Sequence, residues 1–427
     1  MNFLEYLLSF NFVLILRLTQ VIEMTSMSAT MFRFRIIDFV NELPTGLTCT
    51  GDTIGPEDLI SLLKVSVDSP HLLTESWVRN QWRWVVWKLA SYERRFPSVF
   101  GGKYLNPRNV FQELCHRYNK ECSKSRRSAL KRIFEKDDIS SRYMVLCVSS
   151  VSVPPPAVPE DQQSQQKAQE PQQGNPSDGS NPNANCLWIE LTDGWYPVKV
   201  QLDEYLSKAL MCGKIYEGQK LRICGAQRCG SDSGQDPLEA PDSVWFRIFV
   251  NGTRRAEWDA KLGFQKSKAF TVSLFSLKDM GGPIPSVEVC VLRVYPPIYS
   301  ERIDGEGEEK KRIVRTEREE EWEVRAFEEK FERMFEQKVS EYSRNVRGED
   351  MAGVHERVSS EVQKEMEKSR RDVTKILRFR VRDCPSFLAT SPYSEADDGA
   401  KFKETILSVT APQESNEVDI KEGSWIK

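Results

Sequence analysis

Between Trp77 and Phe96 the chain reads WVRNQWRWVVWKLASYERRF, and Val78, Trp82, Val85 and Leu89 recur at the spacing of one helix face. Arg79, Arg83, Arg94 and Arg95 cluster elsewhere on the same cylinder. Four tryptophans in this one stretch supply more apolar surface than a single stripe needs. A domain core would cover them, as it usually does large apolar side chains on a helix. A partner groove or a nucleic-acid surface would do so as well, since Trp and Arg are enriched together at interfaces. SKSRRSALKRIFEKDD predicts a further helix, with Ala129, Leu130, Ile133 and Phe134 facing inward and Lys124, Arg126, Arg127, Lys131 and Arg132 along its length.

The period then changes from helical to alternating. YMVLCVSSV, residues 143–151, predicts a short apolar strand, and LWIELTDGWYPVKVQL predicts two strands joined across the tight turn at Asp193 and Gly194. A short helix from Glu204 to Met211 follows, then strands over 220–229, 244–250 and 287–295. Several strands with no long helix between them imply a small barrel. Residues 153–185, rich in Pro, Gln, Asn, Gly and Ser, are expected to be a disordered insertion between its strands.

From Thr316 onward the helical period returns. Phe327, Phe331, Phe335, Val339, Tyr342 and Val346 form one stripe, and Val354, Val358, Val362 and Met366 form a second running back, with Gly348 and Gly353 bracketing the turn. The first helix would be about 46 Å long at about 1.5 Å per residue. A narrow seam surrounded by charge describes a stalk, not a core. Strand-like sequence resumes with KILRFRVRDCPSFLA and FKETILSVTAP. The remainder after Asp372 is expected to be too short for a complete second barrel.

Charge sharpens this division. The chain has 427 residues and a formal net charge of −3, yet residues 71–143 hold sixteen Lys and Arg against seven Asp and Glu. Residues 301–372 hold seventeen basic against twenty-two acidic residues, so the stalk is expected to be a poor DNA binder. Ten cysteines occur without CxxC pairs, only three histidines exist, and the spacing of Cys115, His116 and Cys122 fits no standard zinc pattern. No metal or cofactor is expected. The chain contains no GxxxxGK[ST], HExxH or GxSxG motif, so a catalytic role is not expected either. The apolar N-terminal stretch contains Glu5 and Arg17 and lacks an early basic leader, so residues 1–30 are expected to be an extension before a folded region starting near Met31.

The order and wording of WVRNQWRWVVWKLASYERRFP, SRRSALKRIFEKDD, YMVLCVSSV, IELTDGWYPVKVQLD, GQKLRICGAQ, PLEAP, KLGF and REEEWE resemble the DNA-binding region of the breast cancer type 2 susceptibility family of recombination mediators. The resemblance implies an α+β multidomain chain. Its helical domain would span 31–141 and a five-stranded OB-fold barrel 142–299. A partial second OB-fold would span 300–427, interrupted by an antiparallel two-helix stalk over 316–370. It also implies a nuclear role in homologous recombination, through single-stranded DNA binding and loading of a RecA-like recombinase.

A small, very acidic protein shared with the proteasome lid is the implied protein partner, for which Trp77, Trp82, Trp84, Trp87, Arg126, Arg127, Lys131 and Arg132 are the candidate contacts. For DNA, the candidates on the first barrel are Lys199, Lys220, Arg222, Trp245, Arg247, Arg254, Arg255 and Trp258, which combine phosphate-binding charge with stacking surfaces. The chain departs from the family pattern in its short stalk, which lacks sequence for a three-helix tip. It also contains no recombinase-binding FxxA core, so recombinase contact would run through other regions. A protein-only adaptor that binds the acidic partner without significant DNA binding is the alternative reading.

Overall fold

The computed structural model describes residues 21–48, 51–152, 154, 187–304, 310–345, 351–368, 371–383, 404–411 and 420–426. Nearly all of the expected disordered insertion, together with residues 1–20 of the expected N-terminal extension, lies outside the described residues. The chain divides into two compact units, one formed by residues 1–270 and 277–285 and the other by 271–276 and 286–427.

The first unit begins with helices α1 (Ser26–Met31), α2 (Pro56–Ser66), α3 (Glu75–Arg95), α4 (Pro107–Tyr118) and α5 (Ala129–Phe134). Thr74 caps α3 by accepting the Trp77 backbone N–H, and Pro97 follows its last turn, where a further helical residue would lack a donor. Around α3 pack α1, α2 and α4. Their apolar faces join those of α3 in one core that includes Val21, Met24 and Ala29. The folded region therefore starts upstream of the Met31 boundary expected from sequence, because those three side chains fill the space beside α3. Helix α5 is shorter than its charge pattern suggested. Ser128 caps it, so Lys124, Arg126 and Arg127 precede the helix instead of lying along it.

Strands β1 (Met144–Ser150), β2 (Trp188–Thr192), β3 (Pro197–Leu202), β4 (Lys220–Ile223), β5 (Gln227–Gly230) and β6 (Val244–Ile248) make the barrel, with α6 (Glu204–Met211) between β3 and β4. β1 pairs with β2, β2 with β3, and β3 runs parallel to β6. β6 pairs with β5, while β4 pairs with β1. The circuit closes because β4 and β5 are successive halves of one bent segment, broken at Gly225, whose φ of +78° a side chain would disfavour. A short β7 (Thr253–Arg255) lies against β4. Alternate residues, including Leu146, Val148, Ile189, Leu191, Val198, Val200, Phe246 and Ile248, fill the interior, and Leu130, Ile133 and Phe134 of α5 join the same core.

The second unit holds β8 (Val289–Asp304), β9 (Lys310–Thr316), α7 (Glu317–Asn345), α8 (Met351–Lys368), β10 (Asp372–Asp383), β11 (Glu404–Ala411) and β12 (Trp425–Ile426). The strand expected over 287–295 as the last of the first barrel instead belongs to β8. Its long partner is β10, so it is committed to the second sheet. The sheet order is β9, β8, β10, β11, with β12 also on β8. Helices α7 and α8 leave from β9 and β10, the two strands flanking β8. Phe331, Val358 and Val362 are buried in the helical seam, with Phe327, Phe335, Val339 and Tyr342 against them. Gly353 lies within α8 and does not bracket the turn, while Gly348 is outside the described residues. At the stalk base Glu301 accepts hydrogen bonds from Arg371 and Arg315, and Arg371 also reaches Glu320 at 3.0 Å.

Candidate nucleic-acid interface

The helical segment and the barrel are joined by buried polar contacts. The Glu121 carboxylate accepts hydrogen bonds from Trp77 Nε1 at 2.9 Å and Tyr196 OH at 2.6 Å, and Lys131 Nζ lies 3.2 Å from it. Burial opposes the Lys131 charge, yet Glu121 and Asp236 hold its pKa above the ordinary lysine value. Arg117 donates to Gln81 Oε1 at 2.8 Å and to the Gly194 carbonyl at 2.7 Å, with its guanidinium over the Trp195 ring. Asp193 is fully enclosed. Burial pushes its pKa up against the backbone N–H groups of Leu130, Tyr196 and Trp195, which hydrogen-bond to the carboxylate. The turn at Asp193 and Gly194 thus both closes the hairpin and docks the barrel on the helices.

This arrangement corrects the expected partner surface. Trp77, Trp82, Trp84 and Trp87 are all buried, Trp82 completely, because three other helices pack around α3 and cover the sides that carry these four rings. Three of the four candidate cations are already matched by carboxylates of the same unit. Arg127 pairs with Glu135 and Asp137, Lys131 with Glu121 and Asp236, and Arg132 with Asp138. Arg126 is exposed.

The DNA candidates divide between two places on the barrel. Lys199, Trp245 and Arg247 share one outer face with Trp188, because their neighbours Val198, Val200, Phe246 and Ile248 alternate inward. Strand register aligns Glu190, Lys199, Trp245 and Cys229 in one row and Trp188, Gln201, Arg247 and Gln227 in the next. Trp188 and Trp245 meet edge to face with centroids 5.0 Å apart. Lys199 Nζ is 2.9 Å from Asp242, and Arg247 lies over the Phe249 ring. Glu190 is held by Arg83, which also binds the Ser26 hydroxyl. Neither Trp245 Nε1 nor Arg247 Nε, both buried, has a hydrogen-bond partner among the described residues.

Lys220, Arg222, Arg254, Arg255 and Trp258 lie instead around β4 and β7. Arg222 stands opposite Arg254 in register and pairs with Glu257 at 3.2 Å. Arg254 donates to the carbonyls of Val250 and Thr253, and burial lowers its pKa. Lys220 donates to the Ala260 carbonyl at 2.7 Å and is likewise lowered by burial. Arg255 reaches Tyr216 OH, and Trp258 is 61% exposed. Trp188 and Gln201 were missed as candidates. The register of β2 against β3 places Trp188 beside Gln201 on the outer face, which the pattern of a single strand does not reveal.

A closed five-stranded barrel with one helix between its third and fourth strands, docked on a helical domain, defines the class of oligonucleotide/oligosaccharide-binding folds. Residues 128–266 match the family model described as BRCA2, oligonucleotide/oligosaccharide-binding, domain 1, and residues 17–125 match that described as BRCA2, helical. Two proteins of Arabidopsis thaliana, Protein BREAST CANCER SUSCEPTIBILITY 2 homolog B and homolog A, are each 35% identical over 303 residues, 70% of this chain and 24% of theirs. The chain belongs to the BRCA2 family. It spans about a quarter of the length of the curated relatives it matches.

Among the described residues no helix is long and apolar enough to cross a membrane. No group of three or more His, Cys, Asp or Glu among them could hold a metal ion.

Proposed function

We propose that the chain is a non-enzymatic DNA-repair protein that acts in the nucleus, in homologous recombination, by binding single-stranded DNA on the outer face of β2, β3 and β6. The observation that carries this reading is the paired rows of Trp188, Gln201 and Arg247 beside Lys199 and Trp245. Strands 2 and 3 of this fold class carry its oligonucleotide face, and a mixture of indole surface and cationic side chains suits bases and phosphates together. Support of recombinase loading, and of a small acidic protein partner, follows from the family and belongs to the same proposal. Lys199 would exchange Asp242 for phosphate, beside the half-buried Arg247 guanidinium.

The test is a titration of labelled oligothymidylate across a salt series with the unaltered chain and with Lys199→Ala plus Arg247→Ala. Weaker binding is expected, with the log–log salt slope reduced by roughly 0.7 for each phosphate that is no longer neutralised. An unaltered slope would remove these side chains from the phosphate path. The second reading, a protein-only adaptor, is favoured by the exposed apolar side chains of Ile37, Val40, Val65 and Leu72 in the helical region. Absence of salt-dependent oligonucleotide binding in the unaltered chain would select it.

A further inference from the structure

Away from the outer barrel face, an aromatic series joins the end of α3 to the loop after β7. Phe96 meets Trp258 with centroids 5.7 Å apart and Phe100 at 6.2 Å. Phe100 meets Tyr104 at 4.6 Å, and Tyr92 lies 5.8 Å from Tyr104 and 6.1 Å from Phe100. Five rings from the helical segment and the barrel are therefore contiguous. They are not a closed core. Trp258 is 61% exposed, Tyr92 is 37% exposed, and the neighbouring Val99 is 67% exposed.

A cation lies against the exposed end of this series. The Arg95 guanidinium lies 5.7 Å from the Trp258 ring centroid. Arg94 donates to the backbone carbonyls of Ile22 and Met24, and Lys103 adjoins Tyr104 on the exposed turn. None of the three has a carboxylate within ion-pair distance among the described residues, unlike Arg127, Lys131 and Arg132. On the acidic side, Glu257 is engaged by Arg222 and Asp259 faces Lys220.

Exposed rings beside an unmatched cation suit a ligand that is both flat and anionic. The geometry points to a second contact for single-stranded nucleic acid, formed jointly by Arg95 and Trp258 with the Phe96, Phe100 and Tyr104 rings behind them. A base stacks on Trp258 while its phosphate meets Arg95. An acidic peptide with apolar anchors is the competing occupant. The peptide reading is weaker because the most accessible group, Trp258, carries a cation against its ring, the combination that single-strand binders use. The inference rests on the single-strand reading of the protein but assigns a separate surface.

The whole chain is titrated with fluorescein-labelled oligothymidylate, and ultraviolet crosslinking to a 5-iodouracil-substituted oligonucleotide reports which residue the base touches. Trp258→Ala is expected to weaken binding about tenfold and to remove the principal crosslink. Arg95→Gln, which keeps the ring, is expected to lower the salt slope by roughly 0.7. Thermal melting of both variants controls for folding, and the exposure of both side chains predicts unchanged transitions.

Unchanged affinity and crosslinking in both variants, alongside weakened binding by Lys199→Ala plus Arg247→Ala, overturns this second surface and leaves the outer-face reading standing. No oligonucleotide binding by the unaltered chain overturns both. Capture of a glutamate-rich peptide bearing tryptophans, abolished in Trp258→Ala, with no effect of that variant on oligonucleotide affinity, overturns the nucleic-acid assignment in favour of the peptide.

Discussion

Helices α3 and α7 both combine aromatic, aliphatic and charged residues, with charge more abundant in α7, and they end in opposite environments. Over its 21 residues α3 buries eleven, including four tryptophans, whereas the 29 residues of α7 bury only Glu320 and Phe331 among those described. The difference is the number of neighbours. Helices pack around α3 from several directions, so even its polar Gln81 and Glu93 are enclosed and must be matched. Glu93 accepts the backbone N–H groups of Tyr104 and Leu105, each at 2.7 Å. Among the described residues helix α7 packs on one helix, α8, and its apolar residues form a seam one side chain wide. A dense aromatic helix does not by itself advertise a binding surface, and neither does a dense run of charge.

Truncation should separate the two helices most strongly. Trp82→Ala, in the filled core, is expected to cost about 3–5 kcal/mol and to unfold the helical domain at a lower denaturant concentration. Phe331→Ala in the stalk is expected to cost roughly 1.5 kcal/mol, read as a loss of helicity that leaves the transition of the first unit in place. Equal effects on one shared transition would contradict the contrast.

The next test concerns buried charge. Removing Glu121 by substitution with Ala leaves Lys131 half-buried, Trp77 Nε1 without its acceptor and Tyr196 OH unmatched. A loss of about 3 kcal/mol is expected, measured by urea unfolding. A small effect from Glu121→Gln, which retains an acceptor, would show that hydrogen bonding outweighs charge at this junction.

Acid titration should affect the other unit. Hydrogen bonds from Arg371 and Arg315 hold the Glu301 pKa down to about 2 from 4.5. A depressed carboxylate pKa means stability fully present above 4.5 and lost as pH falls from there through about 2. Circular dichroism of the stalk should therefore weaken within that window. Arg371→Gln should move the loss to higher pH, and an unchanged acid transition in that variant would exclude this ion cluster as its source.

Sequence periodicity by itself determined much of the secondary structure. The helix over Glu204–Met211, the strand at Met144–Ser150, the hairpin around Asp193 and the seam through Phe327, Phe331 and Phe335 were legible because each follows a local spacing rule. The wording of the motifs likewise pointed to the family. Local spacing does not say what covers a face, and the tertiary structure alone decided that. It placed the α3 tryptophans in a core, matched Arg127, Lys131 and Arg132 with carboxylates from other positions, and separated Lys199, Trp245 and Arg247 from the cations around β4 and β7. It also assigned residues 289–295 to the second sheet, since a strand's pattern records which side is apolar and not which strand will pair with it. Burial, ion pairing and strand register depend on residues distant in sequence, so their outcome is fixed only when the chain closes on itself.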